Sequence, residues 1–159
     1  MHRSATSMVA RSLHKSGEVF MGDKLLRSAD NPEGHFEDMS FLKINKDILA
    51  HFGGSWRNPP SIDVDEAVSV FGVRIQEAAE KSVKQAKKLG FRSWGFKDPR
   101  TCITFPVFKE VLEDISIVST RRDSLSVAKS LKKWHKVPID EGVKLNDYYN
   151  NLIIKALEL

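Results

Sequence analysis

The sequence predicts an α/β protein whose short strands run parallel between helices. Three observations lead there. Short runs rich in β-branched and aromatic residues, at 91–96 and 115–118, alternate with longer segments of helical period. Each of those two runs opens into a cation-bearing stretch, as strands do at the ligand-binding edge of an open α/β sheet. The chain also begins with a small, hydroxyl-rich stretch, His2-Arg3-Ser4-Ala5-Thr6-Ser7, that feeds straight into the apolar-periodic run at 8–13. That order reads as a loop entering a helix N-terminus, where free N–H groups and the helix dipole attract an anion.

The elements follow in order. Residues 6–15 form the first helix, stopped by Ser16-Gly17, and 18–22 form a short strand. Residues 23–27 suggest a helical turn, and the turn formers of 28–34 a loop. Phe41, Leu42, Ile44, Ile48 and Leu49 give 39–52 a helical period. After a Gly/Pro loop at 53–60, Asp63 and Glu66 mark a capped helix start, with Ile62 placed to staple against Ala67. Val64, Val68, Phe71, Ile75, Ala79, Val83 and Ala86 carry that helix's apolar face, and Gly90 ends it. Its lysines, Lys81, Lys84, Lys87 and Lys88, lie off the stripe and read as a solvated face. A strand at 91–96 leads to a helix at 101–112, interrupted or started near Pro106. The strand at 115–119 leads to a helix at 124–134, and a last helix begins at Asp140 or Gly142.

Length and composition narrow the function. A chain of 159 residues with 41% hydrophobic and 29% charged content suits one soluble domain with one core. A net charge of +4 favours anionic ligands but is too mild to indicate nucleic acid. The single cysteine, Cys102, permits no internal disulfide and no cysteine-based zinc site, and the five histidines lack close metal-ligand spacing. No signal peptide or membrane-length apolar run is visible, which points to the cytoplasm. A phosphate loop in an α/β fold normally follows a buried strand. Only Met1 and His2 precede this one, so the chain is expected to be incomplete at its N-terminus, with the first strand missing.

Three cations fall at predicted ligand-binding edges. Arg3 lies in the opening loop, Lys97 follows the first long strand, and Arg122 follows the second, with Ser130 two turns along the next helix. Two separated basic positions suit a ligand with anionic groups at both ends. Glu37 and Asp38 come from a loop that can approach the same edge; Asp38 is assigned to helix capping and Glu37 to general-base chemistry. The loop lacks the Gly-Lys-Ser/Thr of a Walker A motif.

These segments resemble the sulfotransferases that use 3'-phosphoadenosine 5'-phosphosulfate (PAPS). Arg3-Ser4-Ala5-Thr6-Ser7 is similar to the family's Arg-Ser-Gly-Thr-Ser loop, with Ala5 where glycine is usual. Asn31-Pro32-Glu33-Gly34-His35-Phe36-Glu37-Asp38 resembles the acidic loop of bacterial and phage-like members. Trp94-Gly95-Phe96-Lys97-Asp98-Pro99-Arg100 resembles the Lys-Asp-Pro-Arg segment, and residues 120–131 the segment that holds the 3'-phosphate, with Ser124 where many members have proline. The motifs occur in the family's order over residues 2–131.

The resemblance implies a three-layer sandwich with a central, mainly parallel sheet flanked by helices, the P-loop NTPase-like sulfotransferase fold. It implies that Arg3, Ser4, Ala5, Thr6 and Ser7 hold the 5'-phosphosulfate and that Arg122 and Ser130 hold the 3'-phosphate. Lys97 and Arg3 would stabilise charge at the transferring group, and Glu37 would be the base, with His35 open because other members use histidine. PAPS is the implied cosubstrate, with no metal, and the acceptor a small molecule, carbohydrate or peptide. The family's chains are commonly longer at the C-terminal end. Trp56, Trp94, Phe36, Phe52 and Trp134 are read mainly as core, with an acceptor pocket as the alternative use. Two competing functions are a P-loop-type small-molecule or nucleoside kinase, against which the missing loop lysine counts, and a non-catalytic nucleotide-binding remnant.

Overall fold

The computed structural model describes residues 2–26 and 34–158. Among them are six helices and two short strands: α1 (Thr6–Lys15), β1 (Val19–Phe20), α2 (Met39–His51), α3 (Val64–Lys88), β2 (Ser93–Trp94), α4 (Thr101–Val111), α5 (Ser124–His135) and α6 (Ile139–Glu158). The strands pair in parallel, Val19 with Ser93 and Phe20 with Trp94.

This corrects the predicted fold class. The described chain is mostly helical, with a two-stranded parallel sheet, and not a sandwich around a central sheet. The reason lies in strand pairing. The segment 115–119 has the β-branched composition of a strand and is free of helix, but no backbone hydrogen bond joins it to a neighbour among the described residues. Composition makes a strand possible; only a paired ladder makes one. The 91–96 run shrinks to β2 for the same reason. Residues 23–26 form bends and an isolated bridge between Leu25 and Asp38 instead of a helical turn. Residues 27–33, including the start of the acidic-loop motif, lie outside the described residues.

Helix boundaries follow local chemistry. The Asp38, Asp63 and Asp123 side chains accept from the backbone N–H of Ser40, Glu66 and Ser126, capping α2, α3 and α5. Gly90, at φ 78°, turns the chain out of α3 in the left-handed region. Pro106 sits inside a continuous α4, where it neither starts nor interrupts the helix.

Helix α2 is buried along Phe41, Ile44 and Ile48, which pack with Phe71 and Ile75 of α3 and Val107 and Phe108 of α4. Trp94 and Phe96 close this cluster; the Phe96 ring lies on Phe41 with centroids 4.2 Å apart. A second cluster joins Leu49 and Ile103 to the α5–α6 hairpin through Val127, Leu131, Leu145 and Tyr149. The hairpin is tight because Gly142 faces Ala128; a Cβ on Gly142 would sit 3.0 Å from the Ala128 backbone. A small third cluster of Ala10, Met21 and Phe36 seats α1 against β1. Phe36 is therefore a core residue and Trp94 packs partly buried against the core, whereas Trp134 remains exposed.

Candidate anion-binding site

The loop before α1 owes its shape to two left-handed residues. Arg3 has φ 66° and Ala5 φ 63°. Glycine would enter this region without the Cβ clash that Ala5 accepts. The N-cap residue is Ala5, and no serine or threonine side chain caps α1. Its first turn also carries no acidic residue. The positive end of the helix is thus left without a carboxylate of its own.

Cations and hydroxyls from distant parts of the chain converge on this loop. Arg3 Nε donates to Ser130 Oγ on α5 at 2.9 Å. The Arg3 guanidinium also lies over the Trp134 ring, 5.6 Å from its centroid. Arg122 Nη1 donates to the Arg3 carbonyl at 3.2 Å. On the other side of the loop, Lys97 Nζ donates to Ser7 Oγ at 3.3 Å. Ser4 is buried beneath. The opening loop, Lys97, Arg122 and Ser130 therefore form one contiguous group, although up to 127 positions separate its members.

Glu37 meets this group from the acidic loop. Lys97 Nζ donates to Glu37 Oε1 at 2.7 Å, and Arg100 Nη1 lies 3.8 Å from Glu37 Oε2. The Lys97 and Glu37 side chains are only 12% and 6% exposed, so this is a buried ion pair. Burial lowers the Lys97 pKa, opposed by the charge and hydrogen bond of Glu37. His35, the other candidate base, is half-buried and its backbone N–H donates to Leu26 O at 3.1 Å.

A buried polar spine holds the cluster from behind. Asp98 Oδ1 accepts from Arg100 N at 2.9 Å and Arg100 Nη1 at 2.8 Å. Asp98 Oδ2 accepts from Asn45 Nδ2 at 3.2 Å, and Asn45 also binds Thr101 and Thr104. Burial raises the Asp98 pKa, against the Arg100 charge that lowers it. Asn45 carried no signal in the sequence: it is one polar position in the middle of an apolar helix face, and its partners lie more than fifty residues away.

His2 was equally silent. Its ring packs on Trp56, with centroids 4.7 Å apart, and edge-on to His135. Its Nδ1 is buried with no hydrogen-bond partner among the described residues. Burial first, then the Arg100 charge, push its pKa well below the usual histidine range.

A cleft of about 540 Å³ opens beside the site, between β2 with its continuation to Asp98 and the segment 113–120. Among the described residues no group of three or more His, Cys, Asp and Glu side chains is arranged to hold a metal ion, and no helix is long and apolar enough to cross a membrane. The chain matches no family model, no curated protein and no solved structure.

Proposed function

We propose that this chain binds an adenosine carrying phosphates at both its 3' and 5' positions, and that it transfers a sulfuryl group from PAPS to an acceptor hydroxyl or amine. One observation carries the reading. The two groups assigned to opposite ends of the ligand are neighbours, joined by the bonds from Arg3 to Ser130 and from Arg122 to the Arg3 carbonyl. One molecule with two anionic groups can therefore engage both.

In this reading the α1 N-terminus and residues 3–7 receive the 5'-phosphosulfate, and Arg122 and Ser130 the 3'-phosphate. Arg3 and Lys97 stabilise charge on the phosphate as the sulfur–oxygen bond to it breaks. Attack in line by the acceptor oxygen or nitrogen forms the new bond to sulfur, and the acceptor proton passes to Glu37. Glu37 must first loosen from Lys97, because a paired carboxylate is a poor base.

Calorimetric titration tests the binding step. Adenosine 3',5'-bisphosphate is expected to bind more tightly than ATP. Arg122→Ala is expected to weaken it about tenfold or more, the cost of one charged hydrogen bond, without changing affinity for adenosine 5'-phosphate. Equal losses for both nucleotides would remove Arg122 from the 3' end. With a panel of hydroxyl and amine acceptors, Arg3→Ala or Lys97→Ala should reduce transfer from PAPS about a hundredfold or more. Full activity in both variants would refute the assignment.

The bonding of Glu37 to two cations favours a second reading, a non-catalytic nucleotide binder. Tight binding of the bisphosphate without transfer to any acceptor selects it. Magnesium-dependent turnover of ATP would instead select a kinase.

A further inference from the structure

The chain's positive charge is concentrated in one place. Residues 121–136, α5 with the turns at its two ends, carry six lysines and arginines against one carboxylate, Asp123. That segment alone exceeds the net charge of the whole chain, +4, so the remainder is slightly acidic. Asp123 is engaged in capping, and α5 itself contains no acidic residue. Leu125, Lys129, Lys132 and Lys136 recur at spacings of four, three and four, which lines them up along one side of the helix. All four are exposed, on the side away from the buried Val127, Ala128 and Leu131. Among the described residues no carboxylate, Asp140 included, forms an ion pair with these three lysines. Lys133 leans aside, its Nζ 5.1 Å from the centre of the Trp134 ring. The lysines of α3 differ, because Glu77 and Glu80 share their helix. The helix dipole favours Lys132 and Lys133 in the last turn of α5, but it does not account for Lys129 a turn earlier or for the missing carboxylates.

We propose that the outer side of α5 docks an acidic, amphipathic helical segment of a partner protein. Charge complementarity demands an anion. Leu125, 46% exposed at one end of the row, selects a polypeptide, since a polysaccharide or a nucleic acid backbone has nothing apolar to cover it. The row also lacks an aromatic ring on which a single-stranded base could stack. A membrane surface would need apolar side chains on one plane. Trp134, the other large exposed apolar residue of α5, lies nine positions from Leu125, on the opposite side of the helix, against the Arg3 guanidinium. A helical partner repeats the three- and four-residue spacing of the lysines. It runs antiparallel to α5, so that the two dipoles oppose and its acidic N-terminal half meets Lys132 and Lys136. From Leu125 to Lys136 the row spans about 16 Å, so a segment of about twelve residues covers it.

The probe is a synthetic peptide of that length, with glutamate at its first, fifth and eighth positions, leucine at its last, and alanine and glutamine elsewhere. It is titrated into the full chain by calorimetry and by NMR. Amide shifts should move along α5 and not along α3. Lys132→Glu with Lys136→Glu, both at exposed positions, should weaken binding at least tenfold, whereas Lys84→Glu with Lys88→Glu should leave it unchanged. Raising salt from about 50 to 300 mM should weaken it several-fold. Leu125→Ala should weaken the leucine peptide several-fold and a peptide ending in alanine hardly at all. Equal binding of a scrambled peptide of the same composition overturns the proposal, since it reduces the row to a diffuse field. So does tighter binding, sensitive to the same lysines, of heparin, duplex DNA or phosphatidylserine vesicles, or self-association that the reversed lysines abolish. Affinity for adenosine 3',5'-bisphosphate is measured in parallel; neither Lys132 nor Lys136 belongs to the nucleotide site, so the docking surface and the sulfuryl-transfer reading stand or fall separately.

Discussion

Ala5 shows how a single side chain can record a conflict between sequence and backbone. It holds a left-handed conformation, φ 63° and ψ 15°, at the N-cap of α1. Left-handed backbone costs an L-residue roughly 1–2 kcal/mol, partly offset by the lower entropy of Ala over Gly in the unfolded chain. Ala5→Gly is therefore expected to stabilise the protein by about 0.5–1 kcal/mol in urea unfolding. An unchanged or lower midpoint would show that the loop does not hold this conformation. His2 gives a pH-dependent counterpart. Its folded pKa lies below the unfolded value, so the unfolded chain takes up the proton first as pH falls. Its contribution to stability is complete above the unfolded pKa near 6.5 and is lost as pH drops from there toward the folded value, by up to about 1.4 kcal/mol per pH unit. Unfolding at pH 7.5 and 5.5 should show this loss, and His2→Phe, which keeps a ring against Trp56, should reduce it. Arg3, Lys97 and Arg122 were legible as site candidates because each lies beside a recognisable boundary between elements, whereas Ser130, inside α5, was assigned through the resemblance. His2 and Asn45 were not, because their burial and partners depend on contacts distant in sequence.

Among the elements, helices were legible; of the three expected strands, 18–22 and 91–96 contain the paired β1 and β2, shorter than expected, and 115–119 forms no ladder among the described residues. A helix carries its hydrogen bonds and caps within its own sequence, so Asp63 with Glu66, Asp123 with Ser126 and the stop at Gly90 could be read locally. A strand's bonds belong to its neighbour. The segment 115–119 has strand-like composition without a ladder, and β2 has a ladder on one edge only. The apolar stripe of α3 was located correctly at Phe71, Ile75, Ala79 and Ala86, but Val64, Val68 and Val83 are only partly buried while Ala67 and Ser82 are buried. The α5–α6 hairpin offers the most direct test of packing between elements. Gly142→Val would drive a branched side chain into the Ala128 backbone, since even its Cβ has only 3.0 Å of room. A loss of about 1–3 kcal/mol is expected from overpacking. Because α5 carries Ser130 and Trp134, a shift of this hairpin should also disturb Arg3, visible as altered NMR shifts at the opening loop. An unaffected midpoint would mean that the helices cross elsewhere.

On the scale of the whole molecule, two apolar clusters bind five helices, α2 to α6, into a frame, and the polar cluster lies where the loop before α1, the acidic loop, the end of β2 and α5 meet. A net charge of +4 adds a general attraction for anions to the local cations. Binding of adenosine 3',5'-bisphosphate should therefore weaken several-fold between about 50 and 300 mM salt as the Debye length contracts. A salt-independent affinity would place the nucleotide away from these charges. Within that field, the carboxylate of Glu37 has a further effect. Anchored to the same chain, it cannot be diluted, and it confronts every visiting anion as a tethered rival at high effective concentration. On the proposed binding reading, a single charge such as chloride is expected to displace it poorly and a molecule presenting several negative charges at once to displace it well, so the pairing of Glu37 with Lys97 and Arg100 would favour such a ligand over the commonest ions.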